Sequence, residues 1–141
     1  MAKNYKMYLG GKWVDRKNKI RVESPYDDSL VATVAAASKE DYAEAIRIAD
    51  ETFRVTRDLP SYKREETCRA VAAGLEKNID KLAKIMSLEL GKALKDARGE
   101  VTRAIGVFKT AAEEAKRIEG EIIDLDWNPG AEERIGLVRR F

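Results

Sequence analysis

Val71, Leu75, Ile79, Leu82, Met86 and Leu90 step along the chain by four, four, three, four and four residues. A second apolar series, Ala97, Val101, Ala104, Ile105, Phe108, Ala111, Ala112 and Ala115, begins just beyond Gly91-Lys92. Such spacing puts apolar side chains on one face of a helix. The pattern predicts one helix from about Ser61, with Ser61 as its cap, to Leu90, and another from about Lys92 to about Ile118. Gly91 sits where a left-handed C′ residue would end the first of them, and Gly120 ends the second. Two long amphipathic helices joined through one glycine exclude an all-β fold and give the middle of the chain a helix-on-helix core.

The segments on either side have a different period. Residues 6–9 and 12–14 flank Gly10-Gly11, a pair that accepts the positive φ angles of a tight hairpin. Ile20-Arg21-Val22-Glu23-Ser24 alternates as a half-buried strand, Pro25 and Asp27-Asp28 turn the chain, and residues 30–36 form a further apolar strand. Ser38, with Glu40 and Asp41 in the first turn, opens an earlier helix that carries Tyr42, Ile46, Ala49 and Phe53 at helical spacing. After Gly120, residues 121–125 read as a strand, Trp127-Asn128-Pro129-Gly130 as a turn, and residues 134–141 as a second strand. The expected class is α/β: short hairpin strands, three amphipathic helices and a C-terminal strand pair. The last strand reaches Arg139-Arg140-Phe141 with no closing turn or cap. It is either a tail strand paired with 122–125 or the point at which a longer chain has been cut.

Composition removes several functions. Charged residues make up 37% of the chain and hydrophobic ones 44%, a soluble balance. The net charge is +2 and the two signs are interspersed, so no basic stripe for nucleic acid is expected. No apolar run has the length of about 20 residues that spans a bilayer, and residues 1–9 lack a signal-peptide core. The cytoplasm is therefore the expected location. A single cysteine, Cys68, forbids an internal disulfide, and the absence of histidine removes Ser-His-Asp, Cys-His and the common histidine metal sites. No Walker loop or G-x-G-x-x-G is present. Cys68, in mid-helix near Arg64 and Arg69, is expected to be a packing residue. Glu65-Glu66 and Glu113-Glu114 are neighbours about 100° apart on a helix, so neither pair is expected to share a proton. No catalytic, cofactor-binding or metal-binding residue is expected within the chain.

Arg103 lies off the apolar stripe, on a flank with Gly99, Val107, Thr110 and Glu114. It is either a channel-lining guanidinium that grips an anion through its bidentate fork or a surface arginine paired with Glu100 or another exposed carboxylate.

The order of the motifs resembles the start of the aldehyde dehydrogenase superfamily. The match is carried by Tyr8-Leu9-Gly10-Gly11-Lys12-Trp13-Val14, Ser24-Pro25-Tyr26, Val31-Ala32-Thr33-Val34 and Ser38-Lys39-Glu40-Asp41. It continues through Arg64, Leu75, Leu82, Ser87-Leu88-Glu89-Leu90-Gly91-Lys92, Ala97, Glu100-Val101 and Gly120-Glu121, and covers essentially the whole chain. It is closest in character to lactaldehyde and non-phosphorylating glyceraldehyde-3-phosphate dehydrogenases.

The resemblance implies an N-terminal portion of a longer cytoplasmic, homo-oligomeric enzyme, dimer or tetramer, that oxidises an aldehyde with NAD or NADP through a cysteine thioester. Lactaldehyde and glyceraldehyde 3-phosphate are the implied substrates. The nucleophile, the general base and the dinucleotide-gripping residues would lie further on, and Cys68 does not match the nucleophile. Residues 1–120 would belong to the cofactor-binding domain, and 121–141 would begin the bridging, oligomerising arm. Arg103 would contact a substrate anion, with Val107 beside it on the tunnel wall. The competing expectations are a self-standing helical binding or scaffold module and a small helical regulator. Residues 127–141 discriminate: in a module these strands pair internally or are covered, and in a cut enzyme they leave open edges.

Overall fold

A computed structural model describes residues 3–140. In chain order the elements are β1 (Lys3–Tyr5), β2 (Met7–Leu9), β3 (Lys12–Val14), β4 (Lys19–Glu23), β5 (Leu30–Ala35), α1 (Lys39–Thr56), α2 (Ser61–Lys77), α3 (Ile79–Leu90), α4 (Leu94–Glu114), β6 (Glu121–Asp124) and β7 (Ile135–Val138). The expected α/β class stands. Of the strand expected over 134–141, only Ile135–Val138 is strand (β7); Arg134, Arg139 and Arg140 lie outside it, and Phe141 lies outside the described residues.

Gly10 and Gly11 turn the β2–β3 hairpin at φ +56° and +80°, pairing Met7 with Val14 and Leu9 with Lys12. β4 and β5 pair antiparallel, and β1 adds to the other side of β5 in parallel, giving the order β1-β5-β4. β1 was not expected, because three residues carry no readable alternation.

Ser38 caps α1 as expected. Its hydroxyl accepts from the Asp41 N–H (3.2 Å), and the Asp41 carboxylate accepts from the Ser38 N–H (2.9 Å), a reciprocal capping box. Asp41 has a second partner that the sequence does not announce. Arg16, in the β3–β4 connection, donates Nε and Nη2 to its two carboxylate oxygens at 3.0 and 2.5 Å. This fork ties the strand layer to the helix start. The Arg16 guanidinium, and after it the Ser38 N–H, hold the buried Asp41 carboxyl at about 2 against an ordinary 3.8. A lowered carboxylate stabilises only while ionised, so the contribution is complete above pH 3.8 and is lost as pH falls through about 2. Asp41→Asn should therefore unfold at lower denaturant than wild type around pH 6, and the gap should close by about pH 2. A gap independent of pH would remove the ion pair as its cause.

The expectation of three helices requires correction. The helix predicted from Ser61 to Leu90 is two, α2 and α3, broken at Asn78. Asn78 leaves the helical region (φ −116°, ψ 16°), and its N–H donates back to Leu75. Its side-chain amide donates to the Gly74 carbonyl at 2.8 Å, a local bond that competes with the helix ladder. Ser61 is not the cap either: Pro60 holds that position, and Ser61 is the first helical residue. Proline's missing N–H and fixed φ suit an entry into a helix. Gly91 ends α3 in the left-handed region (φ +64°), as expected. A Cβ there would also come within 3.0 Å of the Pro25 Cγ, so the β4–β5 turn is seated against the end of α3.

α4 packs on both α2 and α3. Its Ala97, Val101, Ile105 and Ala112, together with Ala72 of α2 and Ala83 of α3, form the buried helical core. These are mostly small side chains, which let helix axes approach closely. On α1 the large apolar residues of the expected stripe stay outside: Tyr42, Ile46 and Phe53 are exposed. Ion pairs brace the bundle, with Lys109 bound to Glu76 at 2.6 Å, Arg98 to Asp80 at 2.9 Å and Lys116 to Glu65 at 2.9 Å. No helix among the described residues is long and apolar enough to cross a membrane.

Candidate substrate-facing site on helix α4

The rotation of α4 decides what its flank can do. The Ala97–Val101–Ile105–Ala112 stripe faces α2 and α3, and Lys109 and Arg98 lock the helix to the same neighbours. The remaining flank presents Arg103, Gly106, Val107, Thr110, Ala111 and Glu114 along a shallow groove of about 620 Å³. Arg103 and Val107, the expected pair, are thus brought together on one open surface, and their side chain and residue are 72% and 65% exposed.

The Arg103 side chain runs back toward the N-terminus of α4, the ordinary direction in a helix. Its Nη1 would lie 3.8 Å from a Cβ placed on Gly99, so the bare glycine leaves that turn open beneath the guanidinium. Its Nη2 is 3.6 Å from Glu100 Oε1, beyond a normal hydrogen bond. Glu100 is already engaged: the Lys92 ammonium binds the same carboxylate oxygen closely. Lys92, first of all, holds the Glu100 carboxyl below its ordinary range. The Lys92 carbonyl accepts from Ser87 Oγ at 2.8 Å, which fixes the short link between α3 and α4. The expected Arg103–Glu100 pairing is therefore present but loose, with Lys92 as the stronger partner.

The other sequence candidates separate. Cys68 is half-buried, in a pocket between α2 and α4 with Leu59, Arg64, Thr67, Ala115 and Ile118. The Arg64 Nε in that pocket is buried without a hydrogen-bond partner. The adjacent carboxylates diverge as expected: Glu65 binds Arg69 and Lys116, whereas Glu66 binds Lys63. Glu114 is taken by Arg117 at 2.6 Å. Beyond the helices, β6 and β7 pair with each other in the register Ile122↔Leu137, and among the described residues with no other strand. Ile122 and Leu137 are 73% and 74% exposed. The strands therefore pair internally and remain uncovered.

Sequence reasoning missed Lys92. Its link to Glu100 spans a helix break, where helical spacing rules do not apply. The one available signal was a lysine directly after a C-terminal glycine.

The fold is that of a known class. The sequence pattern of the aldehyde dehydrogenase family matches residues 13–140, and the chain belongs to that family. It is similar to the lactaldehyde dehydrogenase of Methanocaldococcus jannaschii, at 36% identity over 120 residues, covering 85% of this chain and 26% of that protein. It is also similar to the NADP-dependent glyceraldehyde-3-phosphate dehydrogenase of Streptococcus equinus, at 31% identity over 141 residues, 99% of this chain and 30% of that protein. Among solved structures, aldehyde dehydrogenase 21 of Physcomitrella patens, in complex with the reaction product succinate, superposes with a TM-score of 0.93 at 34% identity, over 97% of this chain and 29% of that one. The chain thus spans between a quarter and a third of the length of these relatives.

Proposed function

We propose that the chain works as the N-terminal portion of an NAD(P)-dependent aldehyde dehydrogenase and that its α4 flank forms part of the substrate channel, with Arg103 contacting an anionic group on the aldehyde and Val107 lining the wall beside it. The observation that carries this is the exposed Arg103 guanidinium, held over Gly99 and only loosely engaged by Glu100. A planar, permanently charged fork suits a phosphate or carboxylate. The named relatives fit this chemistry: one acts on glyceraldehyde 3-phosphate and one was solved with succinate. Lactaldehyde, the uncharged candidate, is favoured by the first-named relative and would meet Val107 and Thr110.

The chemistry of oxidation is assigned to residues outside these 141. A bound dinucleotide would supply the hydride acceptor, but the residues of this chain do not fit one. No glycine-rich loop leads into any of the described helices, and the α1 N-terminus is closed by its own Ser38 and Asp41.

Residues 1–120 are assigned to the cofactor-binding domain and 121–141 to the start of a bridging arm. The uncovered apolar face of β6–β7, with Ile122 and Leu137 exposed, supports that assignment and a homo-oligomer. The interspersed charges and lone cysteine suit a cytoplasmic enzyme without nucleic-acid or membrane partners. The internal pairing of β6 with β7 is what a self-standing module would also show, whereas their open outer edges and uncovered apolar face favour the bridging arm.

The test is Arg103→Leu in the full-length enzyme. A charge-assisted hydrogen bond is worth about 1.5–3 kcal/mol. The KM for glyceraldehyde 3-phosphate should therefore rise roughly 10- to 100-fold relative to that for lactaldehyde. Equal changes in the two KM values would make Arg103 structural.

A further inference from the structure

Three charges meet at the α3–α4 junction: the Lys92 ammonium and the Arg103 guanidinium both approach Oε1 of Glu100. They are not equal partners. Lys92 is in close contact, whereas Arg103 stands off at 3.6 Å. Lys92 and Glu100 are each about two-thirds covered, so their attraction is screened less than that of the largely exposed Arg103. Two cations share one anion, so one positive charge remains in excess, and it resides on the group that faces the groove. Without the ammonium, the carboxylate would have Arg103 as its nearest cation, at a distance the flexible arginine can close. An exposed salt bridge would then neutralise the guanidinium.

We propose that Lys92 is a specificity-setting positioning residue: by occupying the Glu100 carboxylate it leaves the charge of Arg103 free for the anionic end of an aldehyde. Lys92 does not touch the substrate and acts through Glu100. This rests on the reading of Arg103 as the anion contact. It also gives the segment Gly91-Lys92 a function beyond ending a helix. Gly91 turns the chain, Ser87 holds the Lys92 carbonyl, and the ammonium is thereby aimed at Glu100 one helix further on.

The experiment compares the KM ratio of glyceraldehyde 3-phosphate to lactaldehyde across variants of the full-length enzyme, at low ionic strength. Exposed ion pairs couple by about 0.2–1 kcal/mol, so Lys92→Met should raise the ratio about threefold. Lys92→Arg should leave it near the wild-type value. Lys92→Met combined with Glu100→Gln should bring it back toward wild type, because the excess positive charge is restored. Glu100→Gln alone should lower the ratio, which keeps a test available if Lys92→Met does not fold. A Lys92→Met effect equal on both substrates, or a double variant that fails to recover, would overturn the proposal, as would a rise with Glu100→Gln. If Arg103→Leu shifts the ratio and Lys92→Met does not, only the role of Lys92 falls. If Arg103→Leu does not shift it, the anion contact falls as well.

Discussion

The isolated chain of 141 residues is expected to reduce no NAD or NADP with any aldehyde. Oxidation of an aldehyde through a covalent intermediate needs a nucleophile with a base in hydrogen-bond reach and a bound hydride acceptor. The one thiol, Cys68, faces an apolar pocket between α2 and α4. The carboxylate bordering that pocket, Glu114, is exposed and bound to Arg117 at 2.6 Å, which draws its charge outward and away from base chemistry. Histidine, the usual alternative base, does not occur in the chain. The assay is nicotinamide absorbance with purified chain, glyceraldehyde 3-phosphate, lactaldehyde and each dinucleotide, against a no-protein blank. Turnover above the blank that Cys68→Ala abolishes would place a nucleophile inside these helices and overturn the division of labour proposed above.

What could be read from the sequence was local. Gly10-Gly11, Ser38 with Asp41, and Gly91 each declare their structure within a few residues, and each is found as expected. The break at Asn78 was hidden because Leu75, Ile79 and Leu82 keep helical spacing straight across it. Spacing reports which face is apolar, but not whether the ladder is continuous. The two most informative polar links were hidden for a related reason. Arg16 reaches Asp41 across the β4–β5 pair, and Lys92 reaches Glu100 across a helix junction. Neither distance along the chain has a rule attached to it. Arg103 was legible in part: periodicity put it on the outward flank and named Glu100 as a partner, but the looseness of that pairing is a matter of ångströms. The exposed stripe of α1 is the reverse case. Tyr42, Ile46 and Phe53 have the pattern of a core face, yet within the described residues nothing covers them. A chain spanning between a quarter and a third of its relatives' length need not bury every face that its pattern prepares.

Gly120→Ala should open the β6–β7 pair. Gly120 stands just before the first register pair, Glu121↔Val138. A Cβ at this position would fall 1.7 Å from the Val138 carbonyl oxygen and 2.9 Å from its carbonyl carbon. These are backbone atoms, so no side-chain rotation relieves the overlap, and β7 must move away by more than an ångström. That movement removes the hydrogen bonds of the terminal pair and the contact between Arg140 and Glu121. A two-stranded ribbon is marginal even when intact, so the loss should spread along it. Hydrogen exchange at the amides of Glu121–Asp124 and Ile135–Val138 should accelerate about tenfold or more, whereas the amides of α2 and α4 should exchange as before. Gly74→Ala is the control. It lies inside α2 with nothing within 4 Å of the added carbon, and replacing a mid-helix glycine stabilises by about 0.5–1 kcal/mol. Unchanged exchange in the Gly120 variant would mean that the Val138 backbone does not lie against Gly120.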